Sequence, residues 1–205
     1  MSLSSLKTIS LQRFSLNFAA NIIAACWMLI GSTRAFSWVK PTFIQFALFA
    51  ILALGSNVLF SWLAAESDSV FNEQGLVSYL IWPVIILLVG IILARRSNNQ
   101  TLLFVPVILW LVADTISALL QSLVQLFGSR GWLPDWSYSF LPILFLILFL
   151  WQTLALLWVF SQRLRIPWWE RIIVLVGAVA LMTIWQKNVA DQPIFKPIPV
   201  DPVLG

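Results

Sequence analysis

Apolar residues run along this chain in long blocks separated by short polar segments. Residues 102–127, LLFVPVILWLVADTISALLQSLVQLF, form the block around which the others make sense. A membrane-spanning helix needs about 20 such residues, and this one also carries a carboxylate, Asp114, near its middle. An ionisable group at that depth costs at least about 2.5 kcal/mol, so the segment needs companions. Asp114, Ser117, Gln121 and Gln125 fall at i, i+3, i+7 and i+11 and lie along one helical face, while Leu109, Val112, Ile116, Leu119 and Leu123 cover the others. The polar stripe is expected to turn toward other helices.

Four further blocks, 44–65, 76–94, 141–161 and 172–186, read as spans. The first begins after Pro41, with Trp38 and Trp62 near its interfaces. Pro83 in the second predicts a kink, and the polar run from Arg95 leads into the central helix. Pro142 in the first turn of the fourth is tolerated there. The last reaches across if it begins near Trp168 and ends near Trp185. Ahead of them, residues 11–30 place Phe14, Phe18, Ile22, Cys26 and Leu29 at spacings of four and three, with Asn17, Asn21 and Met28 elsewhere. Their uninterrupted apolar run is too short to span, so an amphipathic helix lying in the interface is expected within a segment 1–43. The charges spread through it, and the lack of a small-residue cleavage site, argue against a cleaved signal peptide. Residues 187–205 are proline-rich and read as an extended tail.

Composition agrees with the pattern: at 60% hydrophobic and 10% charged, with a mean hydropathy of +0.94, the chain reads as an all-α integral membrane protein. The net charge of +4 does not imply nucleic acid, because the basic residues flank the spans. A cytoplasmic amino terminus puts Lys7, Arg13, Arg34, Lys40, Arg95, Arg96, Arg163, Arg165 and Arg171 inside, leaving Arg130, Lys187 and Lys196 outside. Five spans, N-in and C-out, follow, and in a bacterium the tail emerges in the periplasm from the inner membrane.

The candidate chemistry is sparse. There is no histidine and only one cysteine, which excludes imidazole-ligated haem, Ser/His/Asp and Cys/His catalysis, the usual zinc sites and an intrachain disulfide. Cys26 reads as a packed thiol. No phosphate loop, dinucleotide fingerprint or paired carboxylates occur, so neither an enzyme nor a bound cofactor is expected. Asp114 has two readings: a protonated or hydrogen-bonded carboxyl that locks helix packing, or a proton, ion or partner site. Its partner within the chain has to be neutral, and Asn57, Ser61, Gln152 and Thr153 are the candidates. Arg95, Arg96, Arg163, Arg165 and Arg171 suit anionic lipid headgroups or serve as plain topology signals. Gly55, Gly90 and Gly177 are read as easing helix packing, and the deeper Trp82, Trp110, Trp151 and Trp158 as packing residues.

The order of elements, with NFAANIIAACWMLI ahead of a span, FNEQGL before the second span and three more spans before a proline-rich tail, resembles the amino-terminal membrane region of proteobacterial legumain-like (caspase-fold) cysteine peptidases. That resemblance implies a peptidase domain beyond Gly205 and makes this chain the anchor without the enzyme. The five-span layout is also similar to the Yip family of membrane-trafficking proteins. The expected function is a non-catalytic membrane anchor, scaffold or accessory subunit, with the lipid bilayer and membrane-protein subunits as partners. A small transporter or proton-coupled channel using Asp114, or a Yip-like trafficking or lipid-associated protein, are the alternatives.

Overall fold

The computed structural model describes residues 3–65, 69–98, 102–163, 165, 167–170, 172–173, 176–177, 180, 184 and 194–197. It is mostly helical, in the order α1 (Leu3–Leu29), α2 (Ala35–Trp38), α3 (Phe43–Ala64), β1 (Ser69–Phe71), α4 (Glu73–Ser97), α5 (Val105–Ser129), α6 (Asp135–Arg163) and β2 (Phe195–Pro197). Among the described residues, three helices are long and apolar enough to cross a membrane: α3, α5 and the Ile143–Arg163 part of α6. The segment expected as a second span lies in α4, whose apolar stretch Glu73–Leu88 is shorter. From 168 to 184 every described position is helical.

Local chemistry sets the ends of these elements. After Pro41, Thr42 is the N-cap of α3, its hydroxyl accepting from the Gln45 amide at 3.2 Å. Helix α1 ends in a left-handed glycine, Gly31, with Gly31 N–H donating to the Met28 carbonyl and Ser32 N–H to that of Trp27. Helix α5 closes the same way at Gly131, which satisfies carbonyls that the last turn would otherwise leave bare.

Helix α5 is the axis. From Val105 to Thr115 every residue is buried, including Trp110 on all sides, because α1, α3, α4 and α6 each pack against it. Stacked rings of Phe18 and Phe49, 5.0 Å apart, join α1 to α3, and edge-to-face pairs Phe60–Phe145 and Trp82–Phe149 tie α3 and α4 to α6. Gly90 of α4 lies against the Leu103 carbonyl so closely that a β-carbon would collide with it, so α4 and the entry to α5 meet only because that position lacks one. By contrast, Gly55 meets open space, which corrects the expectation that it eases packing; no described residue approaches Gly177 either.

Helix α1 packs Phe18, Ile22 and Leu29 of the expected face against the core, but its most deeply buried positions are others. Asn21, Ala24, Ala25 and Met28 are fully buried, whereas Cys26 is exposed, correcting its reading as a packed thiol. The reason is polar: Lys40 N–H donates to Asn21 Oδ1 at 2.7 Å, Asn21 Nδ2 donates to Gln45 Oε1 at 3.3 Å, and Gln45 Nε2 donates to the Phe14 carbonyl at 3.4 Å. These bonds turn Asn21 toward α3, and the small Ala24 and Ala25 then face the bundle.

Part of the tail is not a free linker. Strand β2 pairs antiparallel with β1 in the register Ser69 to Pro197, Val70 to Lys196 and Phe71 to Phe195, and Asn72 N–H donates to the Ile194 carbonyl at 2.7 Å. Glu66, Asp68, Arg171 and the tail positions 187–193 and 198–205 lie outside the described residues.

Candidate functional site

Asp114 stands in the middle of α5, nine residues and so about 13 Å along the axis from its start, where only 6% of its surface is exposed. Three neutral groups from three other helices donate to it. Asn57 Nδ2 of α3 reaches Oδ2 at 2.8 Å, the Tyr79 hydroxyl of α4 reaches the same oxygen at 2.7 Å, and Gln152 Nε2 of α6 reaches Oδ1 at 3.3 Å. The donors are themselves held in place. Asn57 Nδ2 also donates to the Tyr79 oxygen at 3.2 Å and to the Ala53 carbonyl at 2.9 Å, and the Ser117 hydroxyl donates to Gln152 Oε1 at 3.1 Å. A carboxylate accepts only, and each partner here presents a donor, the two N–H groups of Asn57 being shared among three acceptors.

A cavity of about 230 Å³ opens beside this cluster. Asn57, Tyr79, Asp114, Ser117, Gln121 and Gln152 form its polar lining, and Trp82, Trp110, Phe145 and Phe149 its aromatic walls. Among the described residues no lysine or arginine lines it. Of the polar stripe read from sequence, the structure brings Asp114, Ser117 and Gln121 to the cavity, with Asn57 opposite, and leaves Gln125 away from it. Among the neutral candidates Gln152 and Asn57 bind the carboxyl, Ser61 does not line the cavity, and Thr153 accepts from Trp110 Nε1 at 3.4 Å instead.

Tyr79 is the participant that sequence reasoning missed. One signal was present: it is one of only two tyrosines, and it lies four residues before Pro83, which lacks the N–H that would bond the Tyr79 carbonyl. Helix α4 is therefore loosened at the turn that delivers the phenol.

The deep tryptophans divide. Trp110 and Trp82 pack inside, while Trp151 and Trp158 are exposed and line a larger apolar groove of about 710 Å³ on the outside of α6, where Trp151 Nε1 donates to the Leu29 carbonyl at 2.9 Å. These two pack at the surface of the bundle, against the carboxyl-terminal end of α1. Arg95, Arg163 and Arg165 are exposed, with Arg163 over the Phe36 ring at 5.6 Å and Arg34 over Trp27 at 5.1 Å. The side chain of Arg96 lies outside the described residues. Among the described residues no group of three His, Cys, Asp or Glu is placed to hold a metal ion. Compared with protein-family models, curated proteins and solved structures, the chain matches none of them, so its function has to be argued from this geometry.

Proposed function

We propose that this chain is a non-catalytic membrane domain, an anchor or accessory subunit whose helices dock onto a larger membrane assembly. The observation that carries this reading is the two-part surface of α5. Its first half is enclosed by other helices, and its second half emerges with Leu119, Leu120, Leu123, Leu126 and Phe127 exposed. A central helix that leaves its own bundle with an unbroken leucine face suits a neighbouring transmembrane partner. Purification from native membranes in mild detergent tests it: a partner at fixed stoichiometry, lost on Leu120→Trp with Leu123→Trp, is expected. A monodisperse lone chain would rule the reading out.

Five crossings, N-in and C-out, belong to the same proposal. Between β1 and β2 lie α4, α5, α6 and the stretch 168–184, and an even number of crossings is what a pair joining the two ends requires. Phe43–Phe104 and Phe36–Phe160 contacts gather Arg34, Lys40, Arg95 and Arg163 at the opposite end, in keeping with a cytoplasmic face. Under this reading the membrane is the bacterial inner membrane.

A second reading is favoured by the cavity: a small transporter or channel in which Asp114 meets the solute. Flux into liposomes that is unchanged by Asp114→Asn would eliminate it.

A further inference from the structure

We infer that the cavity beside Asp114 is a binding site for a small organic ammonium ion, a primary amine on a compact apolar body. The inference rests on the second reading only in taking the cavity as a solute site; it requires binding, not passage across the membrane.

Three observations converge. A carboxylate has roughly four acceptor positions on its two oxygens, and here Asn57 and Tyr79 fill two on Oδ2 and Gln152 fills one on Oδ1. One position on Oδ1 is left for a further donor, and Asp114 lines the cavity. All three protein donors are neutral, so the carboxyl in its ionised form has hydrogen bonds but no cationic partner among the described residues. In apolar surroundings a charge without a partner is costly, and among the described residues no cationic side chain lines the space. A guest cation supplies what the chain does not.

The walls then select the kind of cation. Trp82, Trp110, Phe145 and Phe149 present aromatic surface, which attracts an ammonium group and shelters the methylenes attached to it. A bare metal ion has no use for such walls and asks instead for a shell of oxygens. Gln121 and Ser117 offer polar atoms on the same lining for a second N–H of a primary amine. At about 230 Å³ the space falls below the roughly 300–1,000 Å³ of sites for drug-sized ligands, which sets the guest as compact.

The test uses the full chain in nanodiscs of phosphatidylglycerol, whose headgroup has no amine, and n-butylammonium chloride as probe. A saturable rise in melting temperature is expected with n-butylammonium, and none with n-butanol or with sodium chloride at equal concentration. Asp114→Asn, checked for retained helix content, should weaken the amine at least about tenfold, since a charge-assisted bond is replaced by a neutral one. Gln121→Leu, which removes a lining group without touching the carboxyl's three donors, should weaken it by a smaller factor. No saturable rise with the wild-type chain, an equal rise with n-butanol or sodium, or undiminished binding in folded Asp114→Asn would each overturn the assignment. Binding without liposome flux of the same amine would uphold the site while removing the transport reading.

Discussion

The Tyr79 hydroxyl donates to Asp114 Oδ2 at 2.7 Å, joining α4 to α5 deep in the bundle. This bond does two jobs, because the same phenol oxygen accepts from Asn57. Tyr79→Phe therefore strips a donor from the carboxylate and an acceptor from the amide. Bonds between membrane helices average about 0.6 kcal/mol and reach about 1.7 kcal/mol, and one to a carboxylate belongs at the upper end. A loss of about 1–2 kcal/mol in reversible unfolding from mixed micelles is expected; an unchanged stability would show that the phenol merely fills space.

Asp114 itself should tolerate an amide far better than a hydrocarbon. In Asp114→Asn the new NH₂ can take the place of Oδ1 if the Gln152 amide turns over, with Ser117 then accepting from Gln152. The cost should stay near or below about 1 kcal/mol. In Asp114→Leu, Asn57, Tyr79 and Gln152 all lose their acceptor at once, and about 2–4 kcal/mol is expected from stranded donors at about 1–3 kcal/mol each with partial relaxation. The ranking of the two variants in the same unfolding assay is the measurement, and a reversed order would contradict the acceptor-only role.

Gly90→Ala should separate α4 from the start of α5. The added methyl meets the backbone oxygen of Leu103, which cannot swing aside as a side chain would, and Pro106 Cγ stands 3.5 Å away. Overpacking of this kind costs about 1–3 kcal/mol. Gly55→Ala, with nothing within 4 Å, serves as the matched control and should be neutral or slightly stabilising through helix propensity.

Asn21→Ala tests the clamp that sets the face of α1. It leaves the Lys40 N–H and the Gln45 amide without their partner, at about 1–3 kcal/mol. Limited proteolysis should then cut the connection between α1 and α3 faster than in the parent chain, and an unaltered cleavage rate would argue against the clamp.

The register of β1 and β2 predicts a cross-link. Val70 and Lys196 stand directly opposite, and such positions in antiparallel pairs have Cα separations of about 4.5–5.5 Å, within disulfide range. With Cys26 changed to serine, Val70→Cys with Lys196→Cys should oxidise within one chain in native membranes. A membrane-impermeant thiol reagent should reach Ser69→Cys and Lys196→Cys from one side and Arg34→Cys from the other. Labelling of all three from one side would refute the proposed crossings.

Much of this organisation was legible in the sequence because it depends on short-range periodicity. The apolar runs locate α3, α5 and α6, the cap at Thr42 follows Pro41, and the polar stripe of α5 gives Asp114, Ser117 and Gln121 as neighbours. What could not be read depends on which helix stands opposite. Tyr79 looks like any aromatic in a span until α4 is docked by Gly90, and Asn21 looks like a polar face until the Lys40 backbone arrives to meet it. Gln125 continues the stripe in spacing but lies beyond the cavity. Likewise, hydropathy does not say that Trp110 faces the core while Trp151 and Trp158 project from the outer side of α6.

The pairing of Ser69–Phe71 with Phe195–Pro197 bears on how the chain is made. Ribosomes deliver the first strand long before the second, so its backbone donors must wait while α4, α5, α6 and the chain beyond them are made and packed. Completion of that small ribbon thus reports that the carboxyl-terminal part has arrived beside it, and a chain stalled in biogenesis would show a bare strand edge for quality-control proteases to find.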